Sequence, residues 1–271
     1  MELRQLTLED VKPLRDVWIG ELSVPLVVDF FERAVRYGTC WGLFLKGELV
    51  CYWIYLEGSS SPWCEDSILE FYIRRDYRAL GDEVFQLVTR QSEPRGIYVR
   101  SDDAFLLSFM LEKGYTFDVV GPLLVRERRV SLRERENLDF RPVSEETFDA
   151  AFKILTSERP ENAGVKVEDY HRLRADILRG THWCLLREGM VVGVAYWVRQ
   201  SYGNYVTIFP IVHRSYRGRG YGSYMVSRLA EYVESRGYRP VSFMNQFNLA
   251  ARRAFKKSGF HVAALHVLFK L

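Results

Sequence analysis

Three glycines alternate with larger residues between Arg217 and Gly222, where the sequence is R-G-R-G-Y-G. Because glycine has no Cβ, a turn built from it brings its backbone close to a ligand. The free N–H groups at the start of a following helix attract anions, and the side chains of Arg217 and Arg219 add positive charge. The spacing therefore predicts a binding site for a phosphate or pyrophosphate group.

Two widespread phosphate motifs differ from this stretch. The dinucleotide fingerprint is G-x-G-x-x-G, whereas the glycines here follow G-x-G-x-G. The P-loop requires a Lys followed by Ser or Thr, and neither pair follows Gly222. A tight solvent-exposed turn without a ligand stays open as a further interpretation.

The residues on either side indicate which elements position the turn. An apolar run that contains Ile208 and Ile211 precedes it and predicts a strand. After the turn, apolar residues recur four apart, which is helical spacing, at Tyr221, Met225, Leu229 and Val233. We therefore expect a strand, a glycine-rich turn and a helix in succession.

The stretch from Arg217 to Gly222 resembles the R/Q-x-x-G-x-G/A signature of the GNAT N-acetyltransferase superfamily. Downstream, a second stretch resembles that family's N-x-x-A and K-x-G-F motif at Asn248, Ala251, Lys257, Gly259 and Phe260. The resemblance covers residues from about 138 to 271, and it implies acetyl-CoA as the co-substrate. It implies that coenzyme A is bound by Ile211, Val212, His213, Arg217, Gly218, Arg219, Gly220, Tyr221, Gly222, Ser223, Asn248 and Phe255.

The resemblance leaves the proton-transfer groups open. Many family members have a tyrosine acid at the position of Phe255, which has no proton to give. The strand Tyr205–Pro210 contains no carboxylate, so the general base is not identified. Candidates are water and the side chains of Tyr196, Tyr202, Tyr205 and His213. Asn248 is also expected to cap the helix Leu249–Lys257, and both roles are compatible.

The first half of the chain repeats the pattern of the second. Trp41, Gly47 and Val50 recur as Trp183, Gly189 and Val192, and further matches keep the same order at nearly constant spacing. The predicted fold class is α/β (α+β), with two tandem GNAT-like domains that each contain a mixed, mostly antiparallel sheet flanked by helices. We expect domains at residues 1–125 and 138–271, joined by a charged linker at 126–137. Mycothiol synthases share this tandem arrangement, and the resemblance to them concerns architecture alone.

The glycine turn is not preserved in the first copy. Ala79 stands where the second copy has Gly218, and Glu83 stands where it has Gly222, next to Asp82. A carboxylate pair would repel a pyrophosphate, and the missing glycines would close the approach. We therefore expect a degenerate first domain and one acetyl-CoA per chain. Glu70 of the first copy corresponds to Phe209 of the second.

Composition limits the remaining possibilities. The 271 residues are 48% hydrophobic and 27% charged, with a net charge of +3, which is too small to indicate a nucleic-acid partner. No apolar run is long enough to span a membrane, and the first residues do not form a signal peptide. The four cysteines do not form C-x-x-C pairs; they are Cys40, Cys51, Cys64 and Cys184. We therefore expect reduced thiols in the core, no metal site and a cytoplasmic location.

These features favour an acyl-CoA-dependent N-acetyltransferase that acts by direct transfer on a primary amine of a small molecule or peptide. The alternative is a non-catalytic protein that binds or senses acyl-CoA, because no acid or base is identified. The acceptor is expected to contact residues 143–180 and the hairpin 196–205, and the sequence does not identify it. The oligomeric state stays open, and a monomer would suffice.

Overall fold

The structure is a computed structural model, and it describes residues 1–24, 35–58, 66–130, 137–158, 174–175 and 177–271. The chain divides into two units. Unit 1 consists of residues 1–122, 201–203 and 263–271, and unit 2 consists of residues 123–200 and 204–262. The sequence also predicts a helix at residues 25–37; most of this helix and half of the predicted linker lie outside the described residues.

The strands, in chain order, are β1 Glu2–Leu6, β2 Thr39–Leu45, β3 Glu48–Leu56, β4 Ser67–Ile73, β5 Gly96–Arg100, β6 Phe117–Arg126, β7 Leu138–Pro142, β8 His182–Arg187, β9 Met190–Arg199, β10 Tyr205–Val212, β11 Arg239–Phe243 and β12 Phe260–Lys270. The described α-helices are α1 Leu8–Glu21, α2 Gly81–Ser92, α3 Ala104–Glu112, α4 Glu145–Ser157, α5 Tyr221–Ser235 and α6 Leu249–Lys257. Short 3₁₀ helices at Arg75–Leu80 and Arg214–Tyr216 precede α2 and α5.

Side-chain caps explain where several helices begin. The hydroxyl of Thr7 accepts the N–H of Asp10 at 3.2 Å, and the Asp10 carboxylate accepts the N–H of Thr7 at 2.8 Å. Asp103 accepts the N–H of Leu106 at the start of α3, and Asn248 accepts the N–H of Ala251 at the start of α6. The residue type of Thr7 before an amphipathic run also predicts a cap, and the caps at Thr7 and Asn248 are confirmed.

The same strand order occurs in both units. In unit 1 the order is β1-β2-β3-β4-β5-β12, and β4 and β5 are the parallel pair. In unit 2 the order, read from the other end, is β7-β8-β9-β10-β11-β6, and β10 and β11 are the parallel pair. The predicted fold class of two mixed, mostly antiparallel sheets flanked by helices is confirmed.

The sixth strand of each unit comes from the other half of the chain. His266 to Lys270 of β12 pair with β5 in unit 1, while Leu123 to Val125 of β6 pair with β11 in unit 2. If each half of the chain formed its own sheet, β6 would pair with β5, and β12 would pair with β11. Unit 1 therefore includes residues 263–271, which the predicted boundaries assign to the second domain; those boundaries stay a prediction.

Apolar side chains cover both faces of the unit 2 sheet. On one face, Met225 and Leu229 of α5 pack with Val206 and Ile208 of β10. On the other face, residues of α4 pack with β9 and with Ile211 of β10. Because successive strand residues point to opposite faces, the first half of β10 is buried on both sides, while Phe209, Pro210 and Val212 near its end are half-buried.

The described thiols agree with the expected core cysteines. Cys40, Cys51 and Cys184 are free and buried, and burial raises the pKa of each. Cys64 lies outside the described residues. In the part of the chain that is described, no cluster of His, Cys, Asp or Glu could hold a metal ion. No described helix is both long and apolar enough to cross a membrane.

Candidate functional site

The end of β10 separates from β11 in unit 2. Their parallel pairing covers Tyr205 to Thr207, although β10 continues to Val212. One residue beyond this pairing, the hydroxyl of Ser242 of β11 donates to the carbonyl of Ile208 at 3.3 Å. Beyond it, the edge of β10 is open on the β11 side.

Backbone direction shows which groups face this open edge. The N–H of His213 donates to the carbonyl of Val192 on the β9 side at 3.0 Å. Since strand backbone groups alternate with a period of two, Pro210 and Val212 direct theirs toward β11, as Ile208 does. Pro210 has no N–H, so the edge presents the Pro210 carbonyl and the Val212 N–H.

The glycine turn follows directly. Gly218 and Gly220 have φ values of 78° and 80°, a region that residues with a Cβ rarely adopt. Gly222 lies within the first turn of α5, where an added Cβ would lie 3.7 Å from the Cβ of Ala254. Gly218 and Gly220 are therefore needed for the backbone conformation of the turn, whereas Gly222 leaves open space beside the helix.

A cleft of about 680 Å³ lies along the turn, the start of α5 and one face of α6. The α6 face presents small side chains at Ala250, Ala251 and Ala254, with the longer Arg253 and Lys257 beside them. At the opposite wall, the first N–H groups of α5 have no partner within the helix, because helical bonding starts with Tyr224 donating to Gly220. Positive side chains and helix N–H groups without a partner in the helix are features that favour an anion in this cleft.

Nine of the twelve predicted cofactor residues line this cleft: Ile211, Val212, Arg217, Gly218, Gly220, Tyr221, Gly222, Ser223 and Asn248. The other three do not line it. His213 caps the 3₁₀ helix, and the guanidinium of Arg219 lies 5.5 Å from the ring centre of Tyr216. Phe255 is 1% exposed and packs edge-on against Phe260 in the core.

Glu158 lines the same cleft and was not found from the sequence. It follows the last residue of α4, and its side chain is 7% exposed. Its carboxylate binds the guanidinium of Arg217 at 2.6 Å and accepts the N–H of Arg214 at 3.1 Å. No local pattern signals this role, because the partners lie more than fifty residues further along the chain.

Three rings lie side by side across the α4 face of the sheet. His182 of β8, Tyr196 of β9 and Phe209 of β10 are direct register neighbours. Their ring centres are separated by 4.9 Å and 4.8 Å, and both pairs are stacked. The stack thus ends at Phe209, directly before Pro210. The comparison of the two sequence copies did not predict it.

The remaining candidate bases are placed elsewhere. Tyr205 is buried and its hydroxyl accepts from Arg239 at 2.9 Å. Tyr202 belongs to unit 1, where its hydroxyl accepts from Arg15 at 3.0 Å. The imidazole Nε2 of His213 lies 4.0 Å from the Glu158 carboxylate. These contacts are structural. None of the three side chains, Tyr202, Tyr205 and His213, lines the cleft.

The corresponding turn of unit 1 has a different structure. Gly81 begins α2 with a helical φ of −53°, and an added Cβ there would lie 3.3 Å from the ring of Phe109. Phe105 and Phe109 stack with ring centres 6.1 Å apart, whereas the equivalent α6 positions are the alanines of the cleft. Aromatic side chains thus line the cavity beside this turn, where unit 2 has alanines.

The expected charge repulsion in unit 1 needs correction. Asp82 forms an ion pair with Lys113, and Glu83 is exposed to solvent. The carboxylate charges are therefore offset or screened, and they oppose an anion less than the sequence suggested. Glu70 is also not available as a base, because it is buried in an ion pair with Arg15 at 2.6 Å.

Comparison with known proteins matches both halves of the chain. Residues 148–260 match the family described as "Acetyltransferase (GNAT) family", and residues 7–123 match the one described as "Acetyltransferase (GNAT) domain". A search of curated proteins found no match.

Solved structures resemble the chain over its whole length. A GNAT-family acetyltransferase from Colwellia psychrerythraea is 18% identical, with 100% of both chains covered and a TM-score of 0.83. A GCN5-related N-acetyltransferase from Sphaerobacter thermophilus is 16% identical, with 100% of this chain and 95% of the other covered, at a TM-score of 0.67. A tandem GNAT protein from the clavulanic acid biosynthesis pathway is 13% identical, with 100% and 98% covered, at 0.63. At these identities the likeness concerns the fold.

Proposed function

Because the chain belongs to the GNAT acetyltransferase family and carries two GNAT domains in tandem, we propose that unit 2 transfers an acetyl group from acetyl-CoA directly to a primary amine. The acceptor in this proposal is a small molecule or a peptide. The observation that carries the proposal is the open end of β10 beside a glycine turn that begins a helix. The resemblance to mycothiol synthases stays a prediction about architecture.

The residues of unit 2 fit coenzyme A. The first N–H groups of α5, with Arg217, suit the pyrophosphate, and Gly222 leaves the space that a side chain would fill. The open edge of β10 offers the Pro210 carbonyl and the Val212 N–H to the amide groups of the pantetheine arm. In this proposal His213, Arg219 and Phe255 do not contact coenzyme A, and they pack beside the residues that do.

Bound acetyl-CoA supplies the activated acetyl group as a thioester. The Val212 N–H is the donor that can polarise a carbonyl at the open edge of β10. The aromatic stack that ends at Phe209 gives the α4 face of the sheet a half-buried apolar wall. Among the described residues that line the cleft, Glu158 is the one carboxylate, and it is bound to Arg217. We therefore assign deprotonation of the amine to solvent.

Turnover of acetyl-CoA against a panel of amines, measured as free thiol, tests the proposal. Gly220→Val places a branched side chain at a positive φ within the cleft and is expected to abolish both binding and turnover. Gly237→Val is the matched control, because Gly237 has nearly the same φ of 79° and lies away from the cleft. Equal binding by both variants would show that the turn does not hold the cofactor.

The alternative function is binding or sensing of acyl-CoA without catalysis. The buried Phe255 and the aromatic residue at 209 favour it, since neither side chain transfers a proton. It predicts normal calorimetric binding of acetyl-CoA and no thiol release with any amine. In either case the reduced, buried thiols support a cytoplasmic location, which we include in the proposal.

A further inference from the structure

Glu158 is an unexpected residue in an anion site. A carboxylate that lines a cleft for pyrophosphate repels its ligand, and burial of a charge is unfavourable unless the charge is paired. Yet the side chain is 7% exposed and lies on the cleft wall. Two roles are conceivable for such a group, and they have opposite consequences: it weakens the anion site, or it holds the site in shape.

The contacts of Glu158 favour the second role. Its Oε1 accepts the N–H of Arg214, the first residue of the 3₁₀ helix, at 3.1 Å. Its Oε2 binds Nη2 of Arg217, the residue that follows this helix, at 2.6 Å. One carboxylate therefore fixes both ends of the short helix that connects β10 with the glycine turn.

Arg217 extends the same contact to the strand. Its Nε donates to the carbonyl of Val212 at 3.1 Å. A guanidinium is planar and carries five N–H donors in fixed directions, so two bonds on different nitrogens determine its orientation. Through Arg217, Glu158 is thereby linked to the residue whose N–H faces the open edge of β10.

We propose that Glu158 is a positioning residue, which clamps residues 212–217 so that the Val212 N–H and the glycine turn stay in the geometry that binds acetyl-CoA. This inference rests on the proposed function. The residue that directly follows α4 thus sets the affinity of a site formed by β10 and α5. The charge of Glu158 is offset by Arg217, so the cleft keeps the positive charge of Arg253 and Lys257 for its ligand.

Calorimetric titration with coenzyme A, combined with steady-state kinetics, tests the clamp. Glu158→Ala is expected to raise the Kd for coenzyme A and the KM for acetyl-CoA about tenfold, which corresponds to about 1.4 kcal/mol. The kcat at saturating acetyl-CoA is expected to stay within about threefold. Glu158→Gln keeps an acceptor for the Arg214 N–H, so it should recover part of the lost affinity.

Two controls separate positioning from general loss of stability. Glu145→Ala removes a carboxylate that pairs with Arg174 at the other end of α4, and it should leave the Kd unchanged. Arg217→Ala, alone and together with Glu158→Ala, completes a double-mutant cycle. We expect the double variant to bind no more weakly than Arg217→Ala alone, because either change releases the clamp and the second change also removes the unpaired carboxylate.

The possible outcomes are distinct. Unchanged or tighter binding of coenzyme A by Glu158→Ala, or additive effects in the cycle, would overturn the positioning role and leave the proposed function intact. If the parent chain does not bind coenzyme A, the proposed function fails, and this inference fails with it.

Discussion

At the scale of single residues, Phe255 shows how a family position can change its role. Its ring is buried and packs edge-on against Phe260, with ring centres 4.9 Å apart. The sequence placed it beside the cofactor, where related proteins carry a tyrosine acid. In the structure it belongs to the core under α6, and the cleft lies on another face of that helix.

Phe255→Tyr tests this placement. A buried hydroxyl without a partner is expected to lower the free energy of unfolding by about 1–3 kcal/mol, and kcat should not increase. Denaturant unfolding and steady-state kinetics check the two effects. A tenfold rise in kcat would instead show that position 255 can deliver a proton to the leaving thiol.

The aromatic side chain at Phe209 leads to a prediction about pH. If solvent deprotonates the amine, log(kcat/KM) should rise with a slope of about one until the pH reaches the pKa of the free acceptor. Two acceptors whose pKa values differ by about two units should therefore give profiles displaced by about the same amount. Coincident profiles for both amines would reveal a base on the protein.

At the scale of elements, the first residues of α6 both cap the helix and line the cleft. Asn248 caps this helix and also lines the cleft. Asn248→Asp keeps a capping oxygen but adds negative charge, so it should weaken coenzyme A binding with little change in stability. Asn248→Ala should lower the free energy of unfolding by about 1 kcal/mol.

Calorimetry and denaturant unfolding on both Asn248 variants separate the two roles. Equal affinities for coenzyme A in Asn248→Asp and the parent chain would restrict this side chain to capping.

The strand β12 carries a buried histidine. Burial and the nearby charge of Arg100 lower the pKa of His266 from 6.5 to about 3, while Asp102 acts in the opposite direction. The folded chain keeps this imidazole neutral, whereas the unfolded chain binds a proton below pH 6.5. Its contribution to stability is therefore complete above pH 6.5 and is lost as the pH falls toward 3.

His266→Leu removes this titration at similar volume. Between pH 6.5 and 5, above the range in which most carboxylates titrate, the parent chain should lose up to about 1.4 kcal/mol per pH unit. The variant should be nearly insensitive over the same interval. Denaturant unfolding at several pH values measures both slopes, and parallel slopes would contradict the assignment.

The elements could be predicted from sequence where the signals are local. The strand, glycine turn and helix around Gly220 follow from apolar spacing, and the cap at Thr7 follows from residue type within one turn. Glu158 could not be found this way, because its partners are joined to it only by the fold. The exchange of β6 and β12 was also inaccessible, since both strands follow equivalent helices and no local pattern selects between two equivalent edges.

At the scale of the whole molecule, the two units have diverged around the same plan. A cavity of about 700 Å³ also lies at the turn of unit 1, but Phe105 and Phe109 line it where Ala250 and Ala254 line the cleft of unit 2. We expect one acetyl-CoA per chain, because these rings and the helical start at Gly81 replace the small side chains and the left-handed glycine turn of unit 2. Calorimetric titration should give a stoichiometry near one, and Gly220→Val should remove all of the binding heat. A value near two would show that unit 1 also binds the cofactor.

The exchanged strands also determine the order in which the protein can be completed on the ribosome. The edge of β5 that pairs with β12 must wait for residues 266–270, which are synthesised after β11. Until then the nascent chain carries an unpaired strand edge, which is prone to non-native pairing. The sheet of unit 2 needs no strand later than β11, because its β6 strand has already emerged, and its core is complete with Phe255 and Phe260. The domain encoded first is therefore the one that finishes folding last, and a chain that ends prematurely cannot complete it.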